Sequence, residues 1–256
     1  MREVERNEVK ICGRNACLAV FQQRARDIRR VYLTKDNGLL FKPLMQWCAQ
    51  QRIAYHIVDN EDIQKLTSSF HHEGVCLLVQ EKPRVSLSAL LARGQNQKSE
   101  PSYPTCFVYL DYIENPHNLG AILRVCAHFG VGGVLLAGSQ KSLSAAALRT
   151  AQGGAEWLDI VFVPTRGHLL QKVREAGFSL VGTSSHGARS LYDAPLPART
   201  LLIFGSETTG LRPEILQQAD EVRSIPGTGQ LESLNVASAS AVFLAEYWRC
   251  HKVKNS

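Results

Sequence analysis

No apolar run in this chain of 256 residues approaches the ~20 residues that a membrane-spanning helix needs; the longest apolar and glycine run, Phe129 to Gly138, is far shorter. No C-x-x-C pair occurs, and the seven cysteines (Cys12, Cys17, Cys48, Cys76, Cys106, Cys126 and Cys250) are odd in number. Nothing supplies a second pair of ligands at zinc-site spacing, so no metal is expected. Cysteines such as Cys76, inside Val75-Cys76-Leu77-Leu78-Val79, instead read as small buried hydrophobes. Met1 to Lys10 alternates charges around no apolar core and does not read as a secretory signal. A reducing cytoplasm and no membrane partner are the expectation. Glycine (19) and proline (10) are too few for a collagen-like or low-complexity chain, and an apolar fraction of 45% excludes a mostly disordered one.

What is present divides into two blocks. Residues 9–80 alternate helical patterns (Asn15 to Arg24, Pro43 to Gln51, Glu61 to Leu66) with strands (Arg30 to Leu33, Ala54 to Val58, Val75 to Val79), the pattern of a small α/β domain. Residues 81–104 carry Pro83, Pro101, Pro104 and the polar run Gln95 to Ser99, and read as a linker with a short helix around Leu87 to Leu91. Residues 105–256 restart at Cys106-Phe107-Val108-Tyr109-Leu110. Further strands are expected at Gly133 to Ala137, Ile160 to Val163, Ser179 to Thr183, Leu201 to Phe204 and Glu221 to Ile225, with a final helix from Val236 to His251. Strand and helix in alternation predict a parallel sheet covered on both faces. The formal charge of +6 splits as +3, +2 and +1 over residues 1–80, 81–104 and 105–256. Arg24, Arg26, Arg29 and Arg30 cluster at one helix-to-strand turn, either as a solvated edge or as a phosphate-contacting patch.

Three segments of the second block are unusually polar, each just beyond a strand: Asn115 to Arg124, Gly205-Ser206-Glu207-Thr208-Thr209-Gly210, and Ile225 to Asn235. In open α/β sheets such loops gather beyond the carboxyl ends of the strands, where ligands bind. The common nucleotide readings fail. Gly205 to Gly210 has the outer spacing of a P-loop, but Leu211-Arg212 stands where Lys and Ser or Thr are required. No G-x-G-x-x-G follows the first strand, and no G-x-S-x-G occurs.

Asn118 with Arg124 six positions later, Gly205-Ser206-Glu207, and Ser233-Leu234-Asn235 opening the final helix resemble, in order and spacing, the three motifs of the SpoU/TrmH ribose 2′-O-methyltransferases of the SPOUT superfamily. The resemblance covers roughly Thr105 to Ser256. The first block, with Gly13-Arg14-Asn15 and His71-His72-Glu73-Gly74-Val75, is similar to the ribosomal-protein-like RNA-binding domain that precedes it in many members. The resemblance implies an α/β trefoil knot, which strand and helix periodicity alone does not indicate, a homodimer, and S-adenosylmethionine as methyl donor to tRNA or rRNA. It implies a cofactor pocket using Thr183, Gly205, Ile225 and Leu234, largely through backbone. Arg124 with Asn118 would face the target ribose and phosphate, and Glu207, Ser233 and Asn235 would complete the site. The chain departs from the family pattern at Gly227, where many relatives carry Met, and at Thr208-Thr209, a slot often more charged or glycine-rich.

Each residue also has a plain structural reading. Asn118 could be the N-cap of its helix, and Ser233 or Asn235 the cap of the last one. Arg124 could be a solvated face residue. Glu207 could satisfy backbone donors within its glycine-bounded turn. His117 is read as structural, and Ala237-Ser238-Ala239-Ser240-Ala241 as small residues for close helix packing. Arg124 is a poor free base, because guanidinium stays protonated over the accessible pH range. Binding the phosphate and orienting the hydroxyl is the easier role, with the proton acceptor unassigned. Two rival functions remain: an RNA-binding relative that keeps the fold without catalysis, and a nucleotide-dependent enzyme unrelated to methylation.

Overall fold

The computed structural model describes residues 8–96, 104–163, 168–186 and 189–251. Parts of the expected amino-terminal segment and linker, among them Met1, Gln97, Lys98, Ser99 and Pro101, lie outside the described residues.

The first unit is built from β1 (Glu8–Cys12), α1 (Arg14–Arg24), β2 (Ile28–Leu33), α2 (Lys42–Gln51), β3 (Ala54–Ile57), α3 (Asn60–Thr67) and β4 (Val75–Gln80). Its sheet runs β1-β4-β2-β3, with β4 antiparallel to both neighbours and β2 parallel to β3. Val31 and Leu33 of β2 and Leu77 and Val79 of β4 alternate onto one face, where Ala16, Cys17, Val20, Leu44 and Cys48 from α1 and α2 close the core. Arg24 does not form the phosphate patch considered above. Its Nε and Nη2 donate to Glu156 of the second unit at 2.7 and 3.1 Å, and its Nη1 to Gln80 O at 2.6 Å. The buried carboxylate of Glu156 is the reason: it requires a cation, and Arg24 pairs with it.

The helix α4 (Leu87–Asn96) is longer than the sequence suggested, and its Leu90 and Leu91 are buried in the core of the second unit with Phe107 and Phe178. That unit continues through β5 (Thr105–Asp111), α5 (Pro116–His128), β6 (Gly133–Ala137), α6 (Ala145–Thr150), β7 (Ile160–Val163), α7 (Leu169–Glu175), β8 (Ser179–Thr183), β9 (Arg189–Ser190), β10 (Arg199–Gly205), α8 (Pro213–Leu216), β11 (Glu221–Ser224) and α9 (Val236–Cys250). Its seven strands lie in the order β7-β6-β5-β10-β8-β11-β9, every pair parallel. All seven residues of β5 are buried, as a central strand covered on both faces requires. Cys106, Val108 and Leu110 face α5 and α9, while Phe107 and Tyr109 face α4 and α7.

Strand order contains the insertion that a trefoil knot requires. β8 and β9 follow one another along the chain, yet β11 is inserted between them, pairing Arg223 with Thr183 on one side and with Arg189 on the other. In sheet order β11 thus lies inside the connection between β8 and β10. Beyond it, α9 packs on α5, and its end is tied to that connection by Tyr247 Oη donating to Ala198 O at 2.6 Å. The two units meet closely. A Cβ on Gly153 would stand 2.7 Å from Ala19 Cβ and 2.8 Å from Asn15 O, so only glycine admits α1 here. Lys82 Nζ adds donations to Leu158 O at 2.8 Å and Glu156 O at 3.1 Å.

Candidate active site

The three polar segments leave the carboxyl ends of β5, β10 and β11 and converge. The first, leading into α5, is set by Asn115, whose side chain accepts from His117 N–H at 2.9 Å, with Pro116 at the first helical position. Asn115 and not Asn118 is thus the cap. Asn118, in the first turn, is left to make contacts outward.

The second segment is a closed turn. Gly210 N–H donates to Ser206 O at 2.9 Å, Ser206 Oγ accepts from Thr209 N–H at 3.3 Å, and it lies 2.7 Å from Thr209 Oγ1. Ser206 and the threonine hydroxyls therefore satisfy the turn, a task the sequence left open to Glu207. Gly205 at its base pairs with Asp111 of β5 and packs directly under Gly210 and Leu211. The third segment ends at Asn235, whose Oδ1 accepts from Ala237 N–H at 2.9 Å and Ser238 N–H at 3.4 Å to cap α9.

One hydrogen-bonded chain joins all three. Asn235 Nδ2 donates to Asn118 Oδ1 at 3.0 Å, and Asn118 Nδ2 donates to Glu207 Oε1. Asn118 thereby uses both ends of its amide, and its orientation is fixed. The second Glu207 oxygen has no partner among the described residues, and the side chain is exposed. Arg124 is not brought into this chain. It lies six residues along α5, hence about 9 Å along the axis and roughly 120° around it, and is exposed with no ion pair among the described residues. Ser233 is exposed and has no hydrogen-bond partner among the described residues. His117 contacts Thr150 Oγ1 at 3.4 Å through Nδ1.

Thr183, Gly205 and Ile225 sit at or beside the ends of β8, β10 and β11, three strands adjacent in the sheet. Thr183 Oγ1 is already committed, donating to Ile203 O at 2.9 Å, so a ligand there meets backbone. Ile225 packs against the core. Leu231 and Leu234 stand 81% and 50% exposed on the third loop. Between Gly227 and Leu234 the only backbone N–H bonded within the described chain is that of Gln230, to Thr228 Oγ1 at 3.4 Å. Apolar side chains beside free backbone donors and acceptors are the lining that an adenosyl group with an amino-acid tail fits. No group of three His, Cys, Asp or Glu among the described residues is placed to hold a metal ion.

One support was not read from the sequence. Arg212 donates from Nε and Nη2 to Asp111 Oδ2 and Oδ1 at 3.0 and 2.5 Å, tying the second loop to the end of β5. Tyr109 Oη donates to Asp111 Oδ1 at 3.2 Å. Burial first, then the Asp111 charge, pushes the Tyr109 phenol up, keeping it a protonated donor. The available signal was Asp111 itself, a carboxylate ending an otherwise apolar strand and therefore in need of a cation.

A parallel sheet whose last strand is inserted between two consecutive earlier ones, with three polar loops joined at its carboxyl edge, defines a SPOUT-type α/β domain. The chain belongs to the SpoU rRNA methylase family, whose model matches residues 105–245. The model for the RNA 2′-O ribose methyltransferase substrate-binding domain matches residues 10–85. The chain is 36% identical over 253 residues to an uncharacterized tRNA/rRNA methyltransferase, YfiF, of Escherichia coli O157:H7, covering 98% of this chain and 71% of that protein. It is 27% identical over 252 residues to the 23S rRNA (guanosine-2′-O-)-methyltransferase RlmB of Neisseria meningitidis serogroup B, covering 97% and 98%. The fold is shared with the SpoU methyltransferase AviRb of Streptomyces viridochromogenes, solved with AdoMet: TM-score 0.77, 24% identity, 97% of this chain and 93% of that one.

Proposed function

We propose that this protein transfers a methyl group from S-adenosylmethionine to a ribose 2′-hydroxyl of tRNA or rRNA. The observation that carries the reading is the hydrogen-bonded chain Glu207–Asn118–Asn235, which draws one residue from each polar loop to a single point. S-adenosylmethionine supplies an electrophilic methyl on a sulfonium, so the task left to the protein is to position the hydroxyl and take up its proton. Thr183, Gly205, Ile225 and Leu234 hold the donor, chiefly through backbone and apolar contact. Asn118, with both amide ends fixed, and the unpartnered Glu207 oxygen face the ribose, with Ser233 beside them. Arg124 keeps all five donors for the target phosphate, which it can grip in a bidentate fork. It orients and does not deprotonate, since guanidinium stays charged.

Residues 9–80 serve as the RNA substrate-binding domain and 105–256 as the methyltransferase domain, with 81–104 connecting them. Arg26, Arg29 and Arg30 are exposed on the first unit, and so is Phe70 on its last loop, which Arg149 of the second unit reaches through Ser69 Oγ at 3.4 Å. Two copies join through the outer face of α5 and α9, where Arg124, His128 and Trp248 are exposed. The work is done in the cytoplasm, where the RNA resides. The test is incorporation of labelled methyl into unmodified tRNA and 23S rRNA transcripts. Arg124→Lys, which cannot form the fork, lowers transfer about 10²-fold while leaving donor binding intact; near-full turnover would refute the role given to Arg124.

A further inference from the structure

Cys12 ends β1 and stands directly opposite Cys76 on its antiparallel neighbour β4. Both lie on the sheet face opposite to that of Ile11 and Leu77, which enter the core. One step along the ladder, Gly13 N–H donates to Val75 O at 3.4 Å. Gly13 and Val75 are therefore a hydrogen-bonded pair, and Cys12 and Cys76 a non-hydrogen-bonded one. The other side of β4 agrees. Thr34 N–H donates to Gly74 O at 2.9 Å, which turns the backbone groups of Cys76 toward Tyr32 of β2. Residues in a non-hydrogen-bonded pair have Cα atoms about 4.5 Å apart, a separation that a disulfide spans. Both thiols are free, and that of Cys76 donates to the Cys12 sulfur. Cys17 is no rival partner, since it is turned into the core and donates to Ile11 O at 3.4 Å.

The sulfurs are unequal. Cys76 is fully buried and Cys12 only partly. The hydrogen bond from Cys76 first, and the charges of Arg149 and Lys10 after it, hold the Cys12 thiol below its ordinary value despite burial. The same hydrogen bond, with burial, pushes the Cys76 thiol up. A partly accessible sulfur beside cations, paired with a buried protonated one, is the arrangement of an attacking and a resolving cysteine. We propose that Cys12 and Cys76 form a peroxide-sensitive dithiol that closes to a reversible cross-strand disulfide. The Cys12 thiolate attacks one oxygen of hydrogen peroxide, the O–O bond breaks, and hydroxide leaves a sulfenic acid behind. Cys76 then attacks that sulfur, and the departing hydroxyl takes up the Cys76 proton as water. Two thiols thus lose two electrons, and one peroxide becomes two waters. The bond would close the strand end from which the first unit reaches the second: Arg14 N–H donates to Glu73 Oε2 at 2.7 Å, and Asn15 Nδ2 to Gln152 Oε1 at 2.7 Å. In a reducing compartment such a bond is a transient, redox-sensing one.

The folded full chain would be treated with a small molar excess of hydrogen peroxide, its remaining thiols blocked under denaturing conditions, and the protein digested without reductant for mass spectrometry. The expected product is one intramolecular link between the Cys12 and Cys76 peptides, lighter by two hydrogens, with the other five cysteines blocked as free thiols. Dithiothreitol is expected to restore both thiols. Cys76→Ser, which keeps the attacking sulfur and removes the resolving one, is expected to accumulate a Cys12 sulfenic acid that dimedone traps. The proposal is overturned if all seven cysteines stay free, if Cys12 links to Cys17 or to a second copy of the chain, if the Cys12–Cys76 link forms only after unfolding, or if dithiothreitol does not reverse it. The wild-type map decides the question even where the variant fails to fold, and a folded Cys76→Ser protein without trapped Cys12 would remove the attacking role given to Cys12.

Discussion

Replacing Gly205 by alanine adds one methyl group at the base of the Glu207 loop. At an unobstructed position with this backbone, Gly→Ala stabilises a protein by about 0.4–1 kcal/mol through the unfolded chain. Here the new Cβ would stand 2.1 Å from Gly210 C, 2.3 Å from Gly210 O and 2.3 Å from Leu211 N. Ordinary contact begins near 3.4 Å, so the turn must move by more than 1 Å, and all three obstacles are backbone. Moving it breaks the Gly210–Ser206 bond and the Ser206–Thr209 contacts, and pulls Glu207 from Asn118. At about 1 kcal/mol per bond the loss is about 2–4 kcal/mol, which exceeds the entropic gain. For a chain of this size that lowers the melting temperature by roughly 5–12 °C. Scanning calorimetry reads this directly, and titration with S-adenosylhomocysteine in parallel is expected to show at least tenfold weaker binding. A Gly205→Ala protein that melts at or above wild type and binds the ligand normally would refute the claim that close backbone packing sets this loop.

Asn118→Asp sets a second carboxylate against Glu207 and replaces the donor between them by an acceptor. Methyl transfer is expected to fall about 10- to 100-fold, with little change in melting temperature because both side chains are accessible; undiminished transfer would show the chain to be idle. Glu156→Ala removes the partner of Arg24, the two side chains being 6% and 11% exposed. Such losses run to about 3–5 kcal/mol, and because Arg24 keeps Gln80 O and Asp27, about 2–3 kcal/mol is expected here. An unchanged thermal transition would mean that the contact between the two units contributes nothing to stability.

Most of the second sheet was legible in the sequence because its central strands are continuous apolar runs bounded by polar turns. Gly133–Ala137, Ile160–Val163 and Ser179–Thr183 fall where expected. β1 was missed, since Glu8 and Lys10 leave only Val9 and Ile11 as an apolar signal, and β9, two residues long, has no periodicity to read. The insertion depends on β9, so no local pattern could carry it. It came only through the family resemblance. The site was legible as three loops, but that Asn118 reaches across to Glu207 and Asn235 was a question of geometry. Both Asn115 and Asn118 suit a cap, and Pro116 between them decides for Asn115, because proline is favoured at the first helical position. Arg24 was misread with its neighbours, because the carboxylate that claims it lies 132 residues away.

The central claim, that the loops after β8, β10 and β11 hold a methyl donor, is met most directly by calorimetric titration of the full chain with S-adenosylhomocysteine beside an Ile225→Arg control. The account predicts saturable binding of one ligand per chain, abolished when an arginine replaces Ile225 at the end of β11. No heat of binding at millimolar ligand, with unmodified RNA present or absent, would contradict it and leave a knotted RNA-binding protein without catalysis.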